Sequence, residues 1–204
     1  MEISVKVLSC FRFNDIFCKW IEVILKSATL SISINGKHRG YFHCDRGVRQ
    51  GDPLSPLLFC LAEYVLSRSI SKLVEEGKVE LIKASRNVSL PSHSLYVDDI
   101  MVYCKGKISC LSALKDLFQR YALALGQVIS SRKSTIFYGS IPTARLHQIA
   151  AFIGFNIGQL PFTYLGVPIF KGKPKSIYFQ PIADKVKLKL SAWKASLLSI
   201  AGRV

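Results

Sequence analysis

Hydrophobic residues recur at helical spacing in five stretches of the chain, and short apolar runs lie between them. A period of three to four residues predicts amphipathic helices, whereas a short apolar run bounded by turn residues predicts a strand. The helical stretches are Ile16–Ile24, Pro56–Leu73, Leu111–Leu125, Leu146–Ile153 and Ile182–Leu197. The predicted strands are Leu30–Ile34, Val79–Ile82, Ser94–Tyr103 as a strand–turn–strand, Thr135–Tyr138 and Phe162–Phe170.

The ends and buried faces of these helices are also predictable. The expected N-terminal caps are Asn14 or Asp15, Ser55 ahead of Pro56, and Thr143. The expected stop signals are Gly77, Gly126 and Gly154. The first helix should bury Ile16, Phe17, Trp20, Ile21 and Ile24. The last helix should bury Ile182, Val186, Leu190, Trp193 and Leu197.

The order of the elements predicts the fold class. Asn35–Gly36 follows the strand Leu30–Ile34 and predicts a tight turn, after which residues 37–53 read as a basic loop. Helices interleave with mostly non-adjacent strands, and the sequence contains no repeat or clear linker. The pattern therefore predicts an α+β fold in which helices pack on one face of an antiparallel sheet.

The amino-acid composition indicates a polyanionic partner. The chain has 204 residues, half of them hydrophobic, so it can bury a core and is not a disordered tail. Its 28 Lys and Arg against 13 Asp and Glu give a formal charge of +15. Such an excess favours nucleic acid as a partner, although a merely basic soluble protein is the alternative.

Cysteine usage and the N-terminal segment indicate an intracellular protein without a zinc site. The six cysteines form no Cys-x-x-Cys pair and mostly lie in apolar runs, where a reduced thiol behaves as a small hydrophobe. Charged residues are spread through the first 30 positions, which excludes a secretory signal and a membrane span there. Nucleus and cytoplasm both stay open, and we expect no membrane partner.

The pair Asp98–Asp99 interrupts the apolar run Ser94–Tyr103 and is the main candidate for chemistry. Two crowded like charges are costly unless a positive group neutralises them. Hard divalent cations prefer carboxylate oxygens. The pair therefore predicts a metal site that serves phosphoryl chemistry.

A second candidate is the loop Arg46–Pro56, which reads Arg-Gly-Val-Arg-Gln-Gly-Asp-Pro-Leu-Ser-Pro. Its glycines and prolines fix a shaped loop, and its arginines and the helix start could meet a phosphate. A tight connection with solvated arginines explains the same residues equally well. The loop alone leaves both interpretations open.

Together, these two motifs resemble the reverse transcriptases of plant non-LTR (LINE-type) retrotransposons. In that family the strings Arg-Gln-Gly-Asp-Pro-Leu-Ser-Pro and aromatic-x-Asp-Asp follow one another at similar separation. Further segments resemble the family in the same order, and the match covers nearly the whole chain. They are Phe17–Ile21, Ile34–Gly36, Lys133–Ser134, Tyr164–Pro168, Trp193 and Ala201–Arg203.

The resemblance implies an RNA-directed DNA polymerase with a palm at residues 1–170 and the start of a helical thumb at residues 171–204. Its implied partners are an RNA template, a DNA primer and deoxynucleoside triphosphates, and protein partners are unknown. Its implied cofactor is Mg²⁺ or Mn²⁺ held by Asp98 and Asp99. Two such ions clamp the attacking and leaving oxygens of an in-line displacement.

The resemblance also implies roles for other residues. Arg49, Gln50, Gly51, Tyr96 and Val97 would face the nucleotide, the template or the primer end. Lys133 would be catalytic, approaching the triphosphate as a general acid, although an ordinary solvated lysine is the favoured explanation for that residue alone. Tyr164, Leu165 and Gly166 would support the primer, and ordinary strand packing explains them at least as well.

The chain departs from the family at its catalytic centre. The family's first catalytic aspartate and its fingers lie upstream of the matching region, and Asp15, Asp45 and Asp52 have no matching context. The turn reads Tyr-Val-Asp-Asp where the plant group usually has Phe-Ala-Asp-Asp. We therefore expect a fragment truncated at both ends, which holds metal weakly and is inactive or nearly so.

Two alternatives follow from the same departure. The first is a non-catalytic basic module that binds nucleic acid, supported by seven C-terminal lysines opposed by Asp184 alone. These are Lys171, Lys173, Lys175, Lys185, Lys187, Lys189 and Lys194. The second is a fragment that does not fold stably, because a missing strand would expose a sheet edge.

Overall fold

A computed structural model describes residues 2–43, 51–82 and 90–197, with side chains for 6–43, 51–82 and 90–193. These ranges contain six helices and eight short strands. In chain order they are α1 Glu2–Cys10, α2 Asp15–Lys26, β1 Thr29–Ile34, β2 Lys37–His43, α3 Ser55–Glu75, β3 His93–Tyr96, β4 Asp99–Val102, α4 Ile108–Leu125, β5 Thr135–Ile136, α5 Thr143–Ile153, β6 Asn156–Ile157, β7 Phe162–Tyr164, β8 Val167–Ile169 and α6 Ser176–Leu197.

The strands pair two by two, which confirms the α+β class and corrects the predicted single sheet. β1–β2, β3–β4 and β7–β8 are antiparallel pairs, and β5–β6 is a parallel pair. Each antiparallel pair is closed by a two-residue turn, so its two strands are neighbours in sequence and pair with each other. Among the described residues no strand joins one pair to another, and the sequence alone did not reveal this.

Contacts divide the chain into two compact units, residues 1–130 and 131–204. In the first unit, the second half of α3 forms one hydrophobic cluster with α4. Its buried members are Leu66, Ile70, Leu73, Val79, Leu114 and Leu117. Burying side chains of this size stabilises the fold by about 1.5–3 kcal/mol each. The cluster therefore stabilises the elements that pack against it.

A second cluster in the same unit joins α1 and α2 to the first half of α3. Leu8, Cys18, Ile21 and Leu25 are buried there, against half-buried Leu58 and others. Asn14 Oδ1 accepts a hydrogen bond from the Ile16 N–H at 2.8 Å, which confirms the predicted cap. The sequence did not predict α1, which provides Leu8.

The predicted buried face of α2 is confirmed for Ile21 but wrong for three other residues. Trp20 is 62% exposed, and Ile16 and Ile24 are exposed as well. Besides Ile21, the helix buries Cys18 and Leu25, because α1 packs on that side. The face was misassigned because hydrophobic residues surround most of this helix, so their spacing alone does not select one side.

The hairpin β1–β2 confirms one prediction and corrects another. Asn35 and Gly36 have φ values of +51° and +75°, as the predicted tight turn requires. Residues 37–43, predicted as loop, form β2 because the turn brings them into register with β1. A bulge between Leu30 and Ile32 interrupts the pairing, and the positive charge of this segment concealed its strand character.

Several helix and strand ends also differ from the predictions. Leu54 rather than Ser55 is the N-cap of α3, and Pro142 rather than Thr143 is the N-cap of α5. In neither case does a side chain cap the helix. Gly126 and Gly154 end α4 and α5 in the left-handed conformation, as predicted. The predicted strands at 79–82 and 135–138 shrink to a single bridge, Leu81–Cys104, and to β5.

The second unit is built on the parallel pair β5–β6 and the helix α5 that connects its strands. Leu146 and Ile149 of α5 are buried. The rings of Phe137 and Phe162 stack with centroids 3.6 Å apart, which holds the β7–β8 hairpin in this unit. Gly158 follows β6, and its backbone N–H donates to the Ile136 carbonyl at 2.9 Å.

Helix α6 begins earlier than predicted, at Ser176, and the described part of its predicted apolar face is not buried. Val186, Leu190 and Trp193 are exposed, and only Ile182 is half-buried. The side chain of Leu197 lies outside the described residues. Periodicity therefore predicted the helix correctly but not its burial, because an amphipathic pattern does not identify what covers the face. No helix within the described ranges combines the length and hydrophobicity needed to cross a bilayer.

We predict that Gly158→Ala destabilises the second unit by about 1–3 kcal/mol, because overpacking forces neighbouring groups to move. A Cβ at Gly158 would lie 2.5 Å from Thr135 Cγ2 and 2.6 Å from the Phe137 ring. Gly139→Ala is the matched control, since no atom lies within 4 Å of its added Cβ. Urea unfolding measures both free energies, and equal values for the two variants would contradict the prediction.

Candidate active site

The Asp98–Asp99 pair lies at the tip of the predicted strand–turn–strand. β3 and β4 pair in the register His93–Val102, Ser94–Met101, Leu95–Ile100 and Tyr96–Asp99. Val97 and Asp98 form the two-residue turn. Successive residues of a strand face opposite sides, so Tyr96 and Asp99 share one face of the hairpin and Leu95 and Ile100 share the other.

The inner face of this hairpin packs on the hydrophobic cluster of α3 and α4. Ile100 and Val102 contact that cluster, and Cys104 continues the same alternation beyond β4. The carboxylates therefore lie on a hairpin whose other face is anchored in the core. A two-stranded hairpin is at best marginally stable alone in water, so this anchoring is what keeps the pair in place.

The turn itself has a strained residue. Val97 has a φ of +53°, a region in which a β-branched side chain is an outlier. Val97 is 62% exposed, and Tyr96 is 56% exposed. Strain of this kind costs about 1–3 kcal/mol and occurs frequently at functional sites.

The two carboxylates are open to solvent. Asp98 and Asp99 are exposed, and neither forms an ion pair with another described residue. Two adjacent oxygen donors without a protein cation between them fit a hard divalent ion. However, the described residues contain no group of three or more His, Cys, Asp or Glu that could hold a metal.

Sequence reasoning missed a polar contact on the inner face of the hairpin. His93 Nε2 shares a hydrogen bond with Ser67 Oγ of α3 at 2.7 Å, and its Nδ1 shares one with Ser92 Oγ at 2.7 Å. Burial lowers the pKa of His93, since it disfavours the charged ring. The string Ser-His-Ser beside the aspartate motif was the available signal.

A second missed feature is an ion-pair cluster just after β4. Glu80 accepts hydrogen bonds from Lys105 Nζ at 2.9 Å and from Lys107 Nζ. The bond from Lys105 has the larger effect and the bond from Lys107 the next, and together they lower the pKa of Glu80 from 4.5 to about 2. The Lys105 N–H also donates to the Glu80 carbonyl at 2.8 Å, so the cluster fixes the chain that leaves the hairpin.

A third polar pair lies between α3 and α4. The Tyr121 hydroxyl donates to Glu63 Oε1 at 3.2 Å, and Glu63 Oε2 is buried without a hydrogen-bond partner among the described residues. Burial raises the pKa of Glu63. Burial and the Glu63 carboxylate also raise the pKa of Tyr121.

The structure describes only part of the loop Arg46–Pro56. Arg49 and Gln50 lie outside the described residues, as does Asp45. Gly51 is exposed with a φ of +88°, a conformation that favours glycine. Asp52 Oδ1 accepts from the Leu54 N–H at 2.8 Å and so shapes the entry into α3. This role explains Asp52 without a catalytic function.

The remaining predicted site residues belong to the second unit. Lys133 is exposed just before β5. Leu165 and Gly166 form the β7–β8 turn with φ values of +51° and +80°. The Tyr164 hydroxyl is buried without a hydrogen-bond partner among the described residues. Their roles toward a triphosphate and a primer stay predictions.

The Glu80 cluster gives a testable pH dependence. Because the folded state lowers the pKa of Glu80, its stabilisation is fully present above pH 4.5 and is lost as the pH falls toward about 2. Glu80→Gln should lower the melting temperature at neutral pH and have little effect near pH 2. Thermal unfolding across this range measures the difference.

The matched control for this measurement is Glu75→Gln, which removes an exposed α3 carboxylate without an ion pair to another described residue. Its melting curve should follow the wild type at every pH. If the melting temperatures of wild type and Glu80→Gln coincide at every pH down to 2, the ion-pair cluster contributes nothing to stability.

Comparison with known proteins assigns the chain that carries this hairpin to a family. The family described as reverse transcriptase (RNA-dependent DNA polymerase) matches residues 1–169. An uncharacterised mitochondrial protein of Arabidopsis thaliana is 44% identical over 66 residues, which cover 32% of this chain and 54% of that protein. An uncharacterised 149 kDa protein of transposon TX1 from Xenopus laevis is 28% identical over 204 residues.

The TX1 match covers 96% of this chain and 15% of that protein. The chain therefore spans about half the length of the plant relative and a small part of the transposon protein. The transposon origin of the Xenopus protein agrees with the resemblance to mobile-element reverse transcriptases inferred from the sequence motifs. Since the family match extends over residues 1–169 of 204, this chain belongs to the reverse transcriptase family.

Proposed function

We propose that this chain contributes the metal-binding hairpin of a retrotransposon reverse transcriptase and acts in RNA-directed synthesis of DNA. The observation that carries the proposal is the position of Asp98 and Asp99. They are adjacent and exposed at the tip of a hairpin whose inner face contacts the core. Membership of the reverse transcriptase family supplies the reaction to which such a pair belongs.

The donor set fits Mg²⁺ or Mn²⁺ in part. Asp98 and Asp99 would hold the ion through carboxylate oxygens, which hard cations prefer. A divalent ion bound there supplies Lewis-acid stabilisation of charge on phosphoryl oxygens. Because the described residues provide no third His, Cys, Asp or Glu for this pair, water, phosphate oxygens, other protein oxygens or residues outside the described ranges would complete the coordination. We therefore expect weak binding by the isolated chain.

Other residues would orient the substrates around this pair. Tyr96 and Val97, which flank the carboxylates at the exposed tip, would lie beneath the primer end. Arg49, Gln50 and Gly51 would face the nucleotide and the template strand. Lys133 would approach the incoming triphosphate and act as a general acid in the transfer.

The proposed subdomain organisation follows from these roles. Residues 1–170 would form the palm, and residues 171–204 would begin the thumb. The turn at Tyr164, Leu165 and Gly166 would support the primer near the end of the palm. The substrates would be an RNA template, a DNA primer and deoxynucleoside triphosphates, handled in an intracellular compartment.

We predict that the protein binds Mn²⁺ and that Asp98→Asn with Asp99→Asn weakens binding at least about tenfold, or about 1.4 kcal/mol. The double variant removes both charges while keeping the shape of the turn. Electron paramagnetic resonance of free Mn²⁺ during a titration measures the dissociation constants. Asp116→Asn is the control, because it removes an exposed carboxylate of α4 away from the hairpin. Equal affinity of all variants would contradict the proposal.

A second candidate function is a non-catalytic module that binds nucleic acid. The observation that favours it is the exposure of lysines 171, 173, 175, 185, 187 and 189, along and before α6. Lys171 also forms a hydrogen bond within the second unit, since its Nζ donates to Ser140 Oγ at 2.8 Å. The side chain of Lys194 lies outside the described residues.

The two candidate functions predict different effects of the hairpin substitutions on nucleic-acid binding. As a binding module, the Asp98→Asn, Asp99→Asn protein should retain salt-dependent affinity for an RNA–DNA duplex. Lys185, Lys187 and Lys189 changed to Gln should reduce the slope of log affinity against log salt by about 0.7–0.9 per lost phosphate contact. Lys26, Lys72 and Lys78, which pair with glutamates of the first unit, provide a control of equal charge. Fluorescence anisotropy measures the slopes, and absence of binding at low salt would exclude this function.

A further inference from the structure

We propose that His93 is a positioning residue, which fixes the Asp98–Asp99 hairpin on helix α3 through its hydrogen bond to Ser67. The inference deepens the proposed function, because it concerns the geometry of the same carboxylate pair. It adds a residue that neither touches the metal nor belongs to the aspartate motif.

The register of the hairpin directs His93 toward α3. His93 pairs with Val102, and paired residues of neighbouring strands project on the same face. Val102 contacts the hydrophobic cluster, so His93 faces the interior too. There its Nε2 lies 2.7 Å from Ser67 Oγ, in the middle of α3.

Two hydroxyl groups hold the imidazole ring from opposite sides. Ser92 Oγ lies 2.7 Å from Nδ1, so both ring nitrogens have a hydroxyl partner. A neutral imidazole has one donor and one acceptor nitrogen, and a hydroxyl can serve either. Burial lowers the pKa of His93 and so favours the neutral ring at neutral pH, and either tautomer of that ring can pair with both hydroxyl groups.

A directional contact is needed here because the apolar contacts do not fix direction. Leu95, Ile100 and Val102 gain stability by leaving water, and this effect is non-directional. The hairpin has only four paired positions, and the distance along the strand from His93 to Tyr96 is about 10 Å. A small tilt at the His93 end would therefore displace the carboxylates at the tip, and ligands need placement within about 0.5 Å.

The test compares two serines of the same helix. Ser67→Ala removes the hydroxyl that meets His93, whereas Ser69→Ala removes one whose hydrogen bond goes to the Val65 carbonyl of α3 itself, at 2.8 Å. Hydrogen–deuterium exchange of the amides in residues 93–102 reports the mobility of the hairpin. We expect exchange to rise about threefold to tenfold in Ser67→Ala, the range of one net hydrogen bond, and to stay unchanged in Ser69→Ala.

The affinity for Mn²⁺ separates positioning from a merely structural role. Ser67→Ala and His93→Leu should both weaken Mn²⁺ binding about threefold to tenfold, and the double variant should add little because both remove one contact. His93→Gln keeps a side-chain amide that can reach Ser67 and should restore part of the loss. Unchanged affinity and exchange in His93→Leu would overturn the proposal, since the ring would then only fill space.

These measurements distinguish the failure of this proposal from that of the proposed function. Wild-type protein that binds no Mn²⁺ would overturn the proposed function, and the exchange comparison would still decide whether Ser67 and His93 anchor the hairpin. Normal Mn²⁺ binding together with equal exchange in Ser67→Ala and Ser69→Ala would overturn the anchoring alone.

Discussion

The repulsion between two adjacent carboxylates is the constraint on which the first unit depends. Asp98 and Asp99 must stay in water or meet a cation, because burying unpaired charges is costly. The strands that bear them must nevertheless be held firmly if the pair is to act as a ligand set. The structure meets both needs with a hairpin that exposes its tip and packs half-buried Ile100 and Val102 of its inner face on the hydrophobic cluster.

Helix α3 connects the two motifs that carry the family resemblance. Its N-terminus follows Gly51 and Asp52 of the basic loop, and its first half packs on α1 and α2. Its second half supports the hairpin through the hydrophobic cluster and through Ser67. This single helix of 21 residues therefore determines both where the loop ends and where the carboxylates lie.

Sequence reasoning succeeded where the structure is determined by neighbouring residues. The Asn35–Gly36 turn, the hairpin around Asp98, the Asn14 cap and the stops at Gly126 and Gly154 all depend on such local interactions. It failed where distant packing decides the outcome. The buried face of α2 depends on α1, and Val186, Leu190 and Trp193 of α6 are exposed despite a regular apolar pattern. The Ser67–His93 contact joins residues 26 positions apart, and no local pattern predicts it.

Primer extension by the 204-residue chain shows whether the Asp98–Asp99 hairpin takes part in nucleotide transfer. With Mn²⁺, an RNA template and a DNA primer, wild-type protein should incorporate nucleotides at a trace rate at most, since the described residues provide only the two hairpin carboxylates for the metal. Incorporation should disappear in Asp98→Asn and persist in Asp116→Asn. Incorporation at an unchanged rate in Asp98→Asn would contradict the account, because the hairpin would then have no part in the reaction.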